Sequence, residues 1–273
     1  MLNKKVILLS GYARGGTNIT WNILQSHPDI CSPVHETANL FKKSFKLRAC
    51  QYLGKYIDCS RIIDRELLKF KLSNLEHPDN KFISEGTMYT AERITQCALC
   101  LKSVNEQIFY TDLLLKTYPD LYFIALTRNG YALADGYVRR GMSIKYSGKL
   151  YQRMAEEMRR LSGEIKNFKL LKFEDVVKSS FIIAEELFYF TEMDPKKVNK
   201  LRFKSKKVIT NDGGHNVKFG EEHRKYWVDE KNIRDFIDPE IDEKQSNRLS
   251  LEMIKEFNKE AKAALEYFGY DVL

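Results

Sequence analysis

The chain has 273 residues, of which 43% are hydrophobic and 12% aromatic, so it is long enough to bury a substantial core. This length fits one large α/β domain over residues 1–273. Its 45 Lys and Arg against 37 Asp and Glu give a formal charge of +8, which favours anionic ligands without naming one. No apolar run approaches the roughly 20 residues of a membrane span, and five cysteines suit reduced thiols. We therefore expect a soluble, cytoplasmic protein without a signal peptide, of undetermined oligomeric state.

The first predicted elements are a strand at Lys5–Leu9, a glycine-rich loop at Gly11–Asn18 and a helix that ends before Pro28. This order is typical of a loop that cradles a phosphate with backbone amides. In a nucleotide P-loop, the lysine that reaches the β/γ-phosphates follows the second glycine, but Thr17 stands there and Arg14 lies within the loop. The pattern favours a nucleotide whose single 5′-phosphate is joined to another group, such as 3′-phosphoadenosine 5′-phosphosulfate (PAPS).

The segment Tyr12–Thr17 resembles the 5′-phosphosulfate loop of PAPS-dependent sulfotransferases, and His27-Pro28-Asp29 and Glu36 follow it in the family's order. The order is especially similar to that of protein-tyrosine sulfotransferases and of bacterial and Golgi glycan sulfotransferases. The resemblance implies that four loop residues bind the 5′-phosphate through backbone amides, with an added hydroxyl bond from the threonine. These are Gly15, Gly16, Thr17 and Asn18.

The resemblance also places Glu36 at the position of the general base. An acceptor alcohol or phenol must lose its proton as its oxygen approaches sulfur, so a base has to lie within hydrogen-bond reach. His35 is the rival, because an unperturbed imidazole titrates nearer to neutral pH. A plainer alternative is that Glu36 only caps the helix predicted to begin near Thr37.

Helical periodicity is predicted from Ala38 to Leu75, and weaker strand candidates follow at Lys81–Ser84 and Ala98–Lys102. Lys102 lies 26 positions before Arg128. A lysine at closely similar spacing reaches the bridging region of the phosphosulfate in the family. The resemblance therefore implies that Lys102 and the loop's arginine neutralise charge on the leaving phosphate.

An apolar run at Leu121–Thr127 predicts a buried parallel strand that delivers Arg128 to the edge of the sheet where ligands bind. It resembles the family's 3′-phosphate motif, which implies a contact between Arg128 and that phosphate. The family places a serine eight positions later and, in one branch, an arginine twelve positions later; this chain has Gly136 and Arg140 there. Asp135 would repel a phosphate unless it points away.

A further strand is predicted at Phe168–Phe173, where the sequence is similar to the family's strand followed by Tyr-Glu-Asp-Leu. Alternating strands and helices predict a parallel sheet covered on both faces, and the resemblance implies a three-layer P-loop-like α/β fold. The segment Lys200–Glu222 lacks clear periodicity and, like the helical segment 38–75, is a candidate acceptor wall or lid.

Taken together, these patterns predict a sulfotransferase that uses PAPS as co-substrate and needs no metal. The resemblance implies a hydroxyl-bearing acceptor, first of all a carbohydrate, with a hydrophobic alcohol, a sterol or a phenol as the alternative. A small-molecule kinase is disfavoured because the Walker lysine is replaced by Thr17. A noncatalytic nucleotide- or nucleic-acid-binding protein would suit the charge, but no RNA-binding signature accompanies it.

The loss of the Walker lysine leads to a direct prediction. The protein should not hydrolyse ATP, and sulfuryl transfer should continue in EDTA because no step depends on magnesium. Transfer assays with and without chelator test this. Loss of turnover in EDTA that magnesium restores would contradict it and favour the kinase.

Overall fold

A five-stranded parallel sheet lies at the centre of the protein. The computed structural model describes residues 5–73, 90–204, 206–209, 215–219 and 225–273. The sheet has the order β2-β3-β1-β4-β5, and every neighbouring pair in it is parallel. Its strands are β1 (Val6–Gly11), β2 (Ile30–Cys31), β3 (Ala98–Val104), β4 (Tyr122–Thr127) and β5 (Asn167–Lys172).

Helices connect these strands and cover both faces of the sheet. In chain order they are α1 (Thr17–Gln25), α2 (Thr37–Lys43), α3 (Phe45–Leu53), α4 (Ser60–Leu72), α5 (Ala91–Gln96), α6 (Thr111–Thr117), α7 (Gly130–Val138), α8 (Ile144–Glu164), α9 (Phe173–Lys178), α10 (Ser180–Phe190), α11 (Ile233–Phe236), α12 (Ile241–Ser246) and α13 (Leu251–Phe268). Short 3₁₀ helices form at Asn105–Tyr110 and Pro195–Lys197. Within the described ranges, no helix has the length and apolar character needed to cross a membrane.

Alternate side chains of the central strand enter two separate hydrophobic clusters. On β1, Val6 and Leu8 belong to one cluster, and Ile7 and Leu9 belong to the other. All four side chains are fully buried. Such a strand is apolar on both faces because helices cover both, and its continuous apolar run is therefore visible in the sequence.

The strand order places the site at the carboxyl end of β1. From β1 the chain continues to β2 and β3 on one side, and it later adds β4 and β5 on the other. The crevice at such a reversal is where open α/β sheets bind ligands. Gly11 pairs with Val104 of β3 and with Leu126 of β4, so the last residues of three strands meet there.

The structure confirms the expected α/β fold with its parallel sheet and flanking helices. The predicted strands at 5–9, 98–102, 121–127 and 168–173 correspond to β1, β3, β4 and β5. The described part of the predicted helical segment 38–75, up to residue 73, forms most of α2 and all of α3 and α4. Residues 74–75 and Lys81–Ser84 lie outside the described residues.

Most of the described backbone from residue 201 to 228 forms antiparallel ribbons rather than an irregular segment. β6 (Leu201–Lys204) pairs with β9 (Lys225–Val228), and β7 (Lys206–Ile209) pairs with β8 (His215–Phe219). Whether they act as a lid or acceptor wall stays a prediction.

Gly16 is required where the glycine-rich loop enters α1. Its φ is 85°, a left-handed backbone conformation that residues other than glycine rarely adopt. A Cβ added at Gly16 would lie 2.0 Å from the ring of Phe173. Two constraints therefore select glycine here, one in the backbone and one in packing.

Gly16→Ala should therefore destabilise the fold much more than Gly141→Ala. Gly141 also has a left-handed φ, of 78°, but nothing lies within 4 Å of a Cβ added there. The control should lose about 1 kcal/mol from backbone strain alone, and Gly16→Ala should lose several-fold more because Phe173 must move. Denaturant unfolding of both variants measures the difference, and equal losses would contradict this explanation.

Candidate active site

The glycine-rich loop is held in shape by backbone turns and by Asn105. The Gly15 amide donates to the Tyr12 carbonyl at 2.9 Å. The Ala13 amide donates to Oδ1 of Asn105 at 2.7 Å, and the Tyr137 hydroxyl donates to the same oxygen at 2.9 Å. These contacts fix the loop before any ligand binds.

The loop ends at the amino terminus of α1, where helix geometry leaves backbone donors without intrahelical acceptors. Gly16 is the N-cap, and α1 begins at Thr17. The amides of the first turn have no acceptor within the helix, and the helix dipole adds partial positive charge. Thr17 and Asn18 lie in this first turn and Gly16 directly precedes it, where an anion can accept from backbone amides. The Gly15 amide, in contrast, already donates to the Tyr12 carbonyl. Binding of the 5′-phosphate at this position stays a prediction.

Lys102 is buried at the carboxyl end of β3 and contacts both the loop helix and the candidate base. Its side chain is 3% exposed, and its Nζ lies 2.8 Å from Oε1 of Glu36. The same ammonium donates to Oδ1 of Asn18 and lies 4.5 Å from the ring centre of Trp21. Burial lowers the pKa of Lys102, and the carboxylate of Glu36 opposes that shift.

Glu36 is held at this point by the start of α2. The residue is the N-cap of α2, but its side chain makes no capping hydrogen bond and pairs with Lys102 instead. Thr37 donates to Oε1 of Gln107 at 2.8 Å and shares a 2.9 Å hydrogen bond with Ser103 of β3. The first turn of α2 is therefore tied to β3 beside Lys102. The capping alternative holds for the backbone of Glu36 and not for its carboxylate.

The side chain of His35 contacts a different lysine from the side chain of Glu36. Its Nε2 is hydrogen-bonded to Nζ of Lys43, on the last turn of α2. His27, by contrast, is fully buried and structural: it accepts from the Asp29 amide through Nδ1, and Nε2 donates to the Asp194 carbonyl. Of the two candidate bases, Glu36 is the one in contact with Lys102.

Arg14 lies at the centre of a group of four arginines. Its φ of 68° is left-handed, and its side chain reaches solvent. Partial burial lowers the pKa of Arg14, and the positive charges of Arg140, Arg128 and Arg139 lower it further. Concentrated positive charge of this kind favours an anionic ligand.

Arg128 follows β4, and each of the three nitrogens of its guanidinium donates to the protein. Nε forms an ion pair with Asp242, Nη1 donates to the Arg14 carbonyl at 2.6 Å, and Nη2 donates to Oε1 of Gln245 at 2.8 Å. The plane also lies over the ring of Phe173, 4.5 Å from its centre. Only 4% of Arg128 is exposed.

The other residues of the predicted 3′-phosphate motif lie on α7 and just beyond it. Asp135 points toward arginines, with Oδ2 3.2 Å from Arg139 and 3.6 Å from Arg248. A Cβ added at Gly136 would lie 3.4 Å from Cβ and Cγ of Arg14, which is ordinary contact. Arg140 follows on the exposed surface after α7. Space alone therefore does not explain the glycine at position 136.

Several residues of the site carry no motif that a sequence can reveal. Asp242 and Gln245 come from α12, more than 110 positions after Arg128. Asn105 and Trp21 act through contacts that exist only after the sheet has formed. Asn105 has a left-handed backbone with a φ of 54°, a conformation that asparagine tolerates well. The residue type is therefore compatible with this position, but it does not by itself reveal the contact with the loop.

Comparison with known proteins assigns the chain to a family. A family model described as "Sulfotransferase family" matches residues 7–196, which is more than half of the 273 residues. The chain belongs to the sulfotransferase family. It is thus an enzyme of a family whose sulfuryl donor is PAPS. No curated protein matches it.

Two solved structures share the fold of this sulfotransferase over nearly its whole length. The sulfotransferase domain of the Synechococcus PCC 7002 olefin synthase is 17% identical, with a TM-score of 0.61, over 100% of this chain and 98% of that chain. The sulfotransferase domain from the curacin biosynthetic pathway is 12% identical, with a TM-score of 0.56, over 98% and 99% respectively. At these identities the likeness shows the fold alone.

Lys102→Met should reduce turnover by about a hundredfold or more while donor affinity changes less. The substitution removes the buried ammonium group that is expected to neutralise the negative charge developing on the leaving phosphate. Since burial lowers the pKa of Lys102, the wild type should also lose activity on the alkaline side below pH 10.5. Turnover measured against pH checks both effects. Lys169→Met is the control, because Lys169 of β5 forms an ion pair with Glu186 of α10 and not with any residue of the candidate site. A similar loss in the two variants would contradict a specific role for Lys102.

Proposed function

We propose that this sulfotransferase moves the sulfuryl group of PAPS to an acceptor hydroxyl, with Glu36 as the general base. The observation that carries the proposal is the ion pair between Lys102 and Glu36, whose lysine also bonds Asn18 of the loop helix. It brings a cation for the leaving group and a carboxylate for the acceptor to one point beside the anion-binding amides.

The geometry supports an in-line displacement. The 5′-phosphate accepts from the amides at the start of α1, which leaves the phosphosulfate bridge near Lys102. The acceptor oxygen forms a bond to sulfur while the bond from sulfur to the bridging oxygen breaks. The acceptor proton passes to Glu36, and adenosine 3′,5′-bisphosphate leaves with its new charge neutralised by Lys102 and Arg14.

His35 is less suited to accept the proton. Its Nε2 is engaged by Lys43, whereas Glu36 directly contacts the ammonium that we assign to the leaving group. A base and a leaving-group cation must lie close to the same transferring group. This adjacency supports Glu36.

For the acceptor we propose a carbohydrate, and an anionic glycan suits the surface that follows Glu36. From 37 to 57 the sequence has basic residues and no acidic one; the basic residues are Lys42, Lys43, Lys46, Arg48 and Lys55. Tyr52 and Tyr56 are 72% and 84% exposed on the same segment. Exposed aromatic rings offer faces on which sugar rings can stack, and the basic side chains attract acidic groups.

The same segment favours a hydrophobic alcohol as the second candidate. Phe45 is 75% exposed, and Leu53 and Ile57 are about half exposed. Large apolar side chains grouped on a surface mark binding sites for apolar groups. A lipid-borne or phenolic hydroxyl would use these side chains rather than the basic ones.

An acceptor panel separates the proposals. The enzyme is supplied with sulfur-labelled PAPS and with acidic oligosaccharides, neutral oligosaccharides, sterols and simple phenols, and labelled products are counted. Label on acidic glycans that is lost in Tyr52→Ala with Tyr56→Ala supports the carbohydrate acceptor. Label on sterols or phenols alone would overturn it, and no transfer from PAPS to any class would contradict the proposed reaction.

Glu36→Gln keeps the shape of the side chain but removes the proton acceptor, so turnover should fall about a hundredfold or more with donor affinity nearly unchanged. His35→Asn is the matched control and should do much less. Both variants are compared on an aliphatic alcohol at several pH values, because an acidic phenol partly hides the loss of a base. If Glu36→Gln stays near wild type while His35→Asn is inactive, the base is His35.

A further inference from the structure

The guanidinium of Arg128 forms an ion pair with Asp242 of the protein itself, at the position where the sequence predicts contact with a bound phosphate. A phosphate or carboxylate binds arginine best in a fork, through two parallel N–H groups. Asp242 takes the Nε–H, Gln245 takes an Nη2–H, and the Arg14 carbonyl takes an Nη1–H. Three of the five N–H groups of the guanidinium thus donate to the protein, and a fork that uses the Nε–H opens to a phosphate only when Asp242 leaves it.

We propose that Asp242 is an internal counter-ion at the donor's 3′ side, which takes up a proton when a 3′-phosphate replaces it on Arg128. Asp242 thereby sets how strongly the enzyme prefers 3′-phosphorylated over 3′-unphosphorylated nucleotides. This inference rests on the proposed use of PAPS, and it adds a specificity-determining residue on α12 to the donor site.

The balance of charge explains why a carboxylate occupies this place. Arg128, Arg139 and Arg140 each act on Arg14 as a like charge. A buried arginine in such company needs an anion, since an unpaired buried charge is costly. Asp135 pairs with Arg139 and Arg248, which leaves Asp242 as the carboxylate on Arg128.

Asp242 is held incompletely, as expected of a group that can be displaced. Its Oδ1 accepts from Arg128, whereas its buried Oδ2 accepts from no N–H or O–H donor among the described residues, and the carboxyl group also interacts with that of Glu174. The helix that carries Asp242 is one and a half turns long. Gly136 adds no hydroxyl to the 3′ side, so a 3′-phosphate depends more heavily on the arginines.

Other groups facing Asp242 favour its neutral form. Burial and a hydrogen bond with Glu174 together raise the pKa of Asp242 to about 7, although Arg128 opposes the shift. Tyr151 and Tyr270 also interact with Asp242, but burial raises their own pKa values, so both stay neutral near pH 7. A phosphate that takes over Arg128 removes the opposing cation, so Asp242 should gain a proton.

The direction of proton transfer is diagnostic. A phosphate monoester has a second pKa near 6, and a cluster of arginines favours its dianion. On binding, the ligand itself therefore releases protons or exchanges none. A proton that is taken up on binding at pH 7.5 must therefore be bound by a group of the protein. The matched ligand, adenosine 5′-phosphate, lacks the 3′-phosphate and should cause no such uptake.

Calorimetric titration with adenosine 3′,5′-bisphosphate and with adenosine 5′-phosphate, in buffers of different ionisation enthalpy at pH 7.5, tests the proposal. The wild type should take up a fraction of a proton with the bisphosphate only. Asp242→Asn should abolish that uptake and bind the bisphosphate about tenfold more tightly, with unchanged affinity for the monophosphate. Asp238→Asn, which removes a carboxylate paired with Lys244 on the same segment, should behave as wild type.

The outcomes separate this inference from the proposed function. If the wild type binds neither nucleotide, PAPS is not the donor and the proposed function fails. If it binds the bisphosphate without proton uptake, Asp242 is not displaced or protonated and only this inference is overturned. That second measurement needs no variant, so it holds even if Asp242→Asn fails to fold. Equal tightening in Asp242→Asn and Asp238→Asn would also overturn it, because general charge would then explain the effect.

Discussion

The buried ammonium group of Lys102 is the interaction on which the site depends. Taking a charge out of water is costly unless it is paired and hydrogen-bonded. The structure meets this cost with a carboxylate from the start of α2, an amide oxygen from α1 and the face of Trp21. One charge at the end of β3 therefore brings together the donor loop and the candidate base, two elements that the sheet alone would leave independent.

The two ends of the donor site are stabilised in different ways. At the 5′ side the donors are backbone amides fixed by a strand, a left-handed glycine and a helix start, so little reorganisation is needed on binding. At the 3′ side the donors are arginine side chains, and arginines packed together repel one another. Carboxylates therefore accompany them while no ligand is bound, and Asp135 and Asp242 supply these charges. The proposed exchange of Asp242 for a phosphate follows from this arrangement.

The elements that could be predicted from sequence are those whose signals are local. β1 and β4 are continuous apolar runs because both of their faces are buried, and the loop was visible from its glycines. β2 has only two residues, which is too short for any periodicity. The side chain of Glu36 shows the limit most clearly: its position before α2 was predicted, but capping and ion pairing differ only in where β3 places Lys102. Sequence position alone cannot decide between them.

Asp242 illustrates why the remainder of the site escaped prediction. It lies in a short polar helix, and nothing in the residues around it differs from an ordinary exposed turn. Its importance arises from packing against Arg128, which is 114 positions away. The family's motif, meanwhile, expects a serine where this chain has Gly136, and a Cβ at that position would meet Arg14 only at ordinary contact distance. In the proposed donor site, a missing hydroxyl and an added carboxylate would both weaken the binding of a 3′-phosphate, and both act on the same arginine cluster. The proposed recognition of the donor thus depends on long-range charge balance as much as on the local motifs that reveal the family.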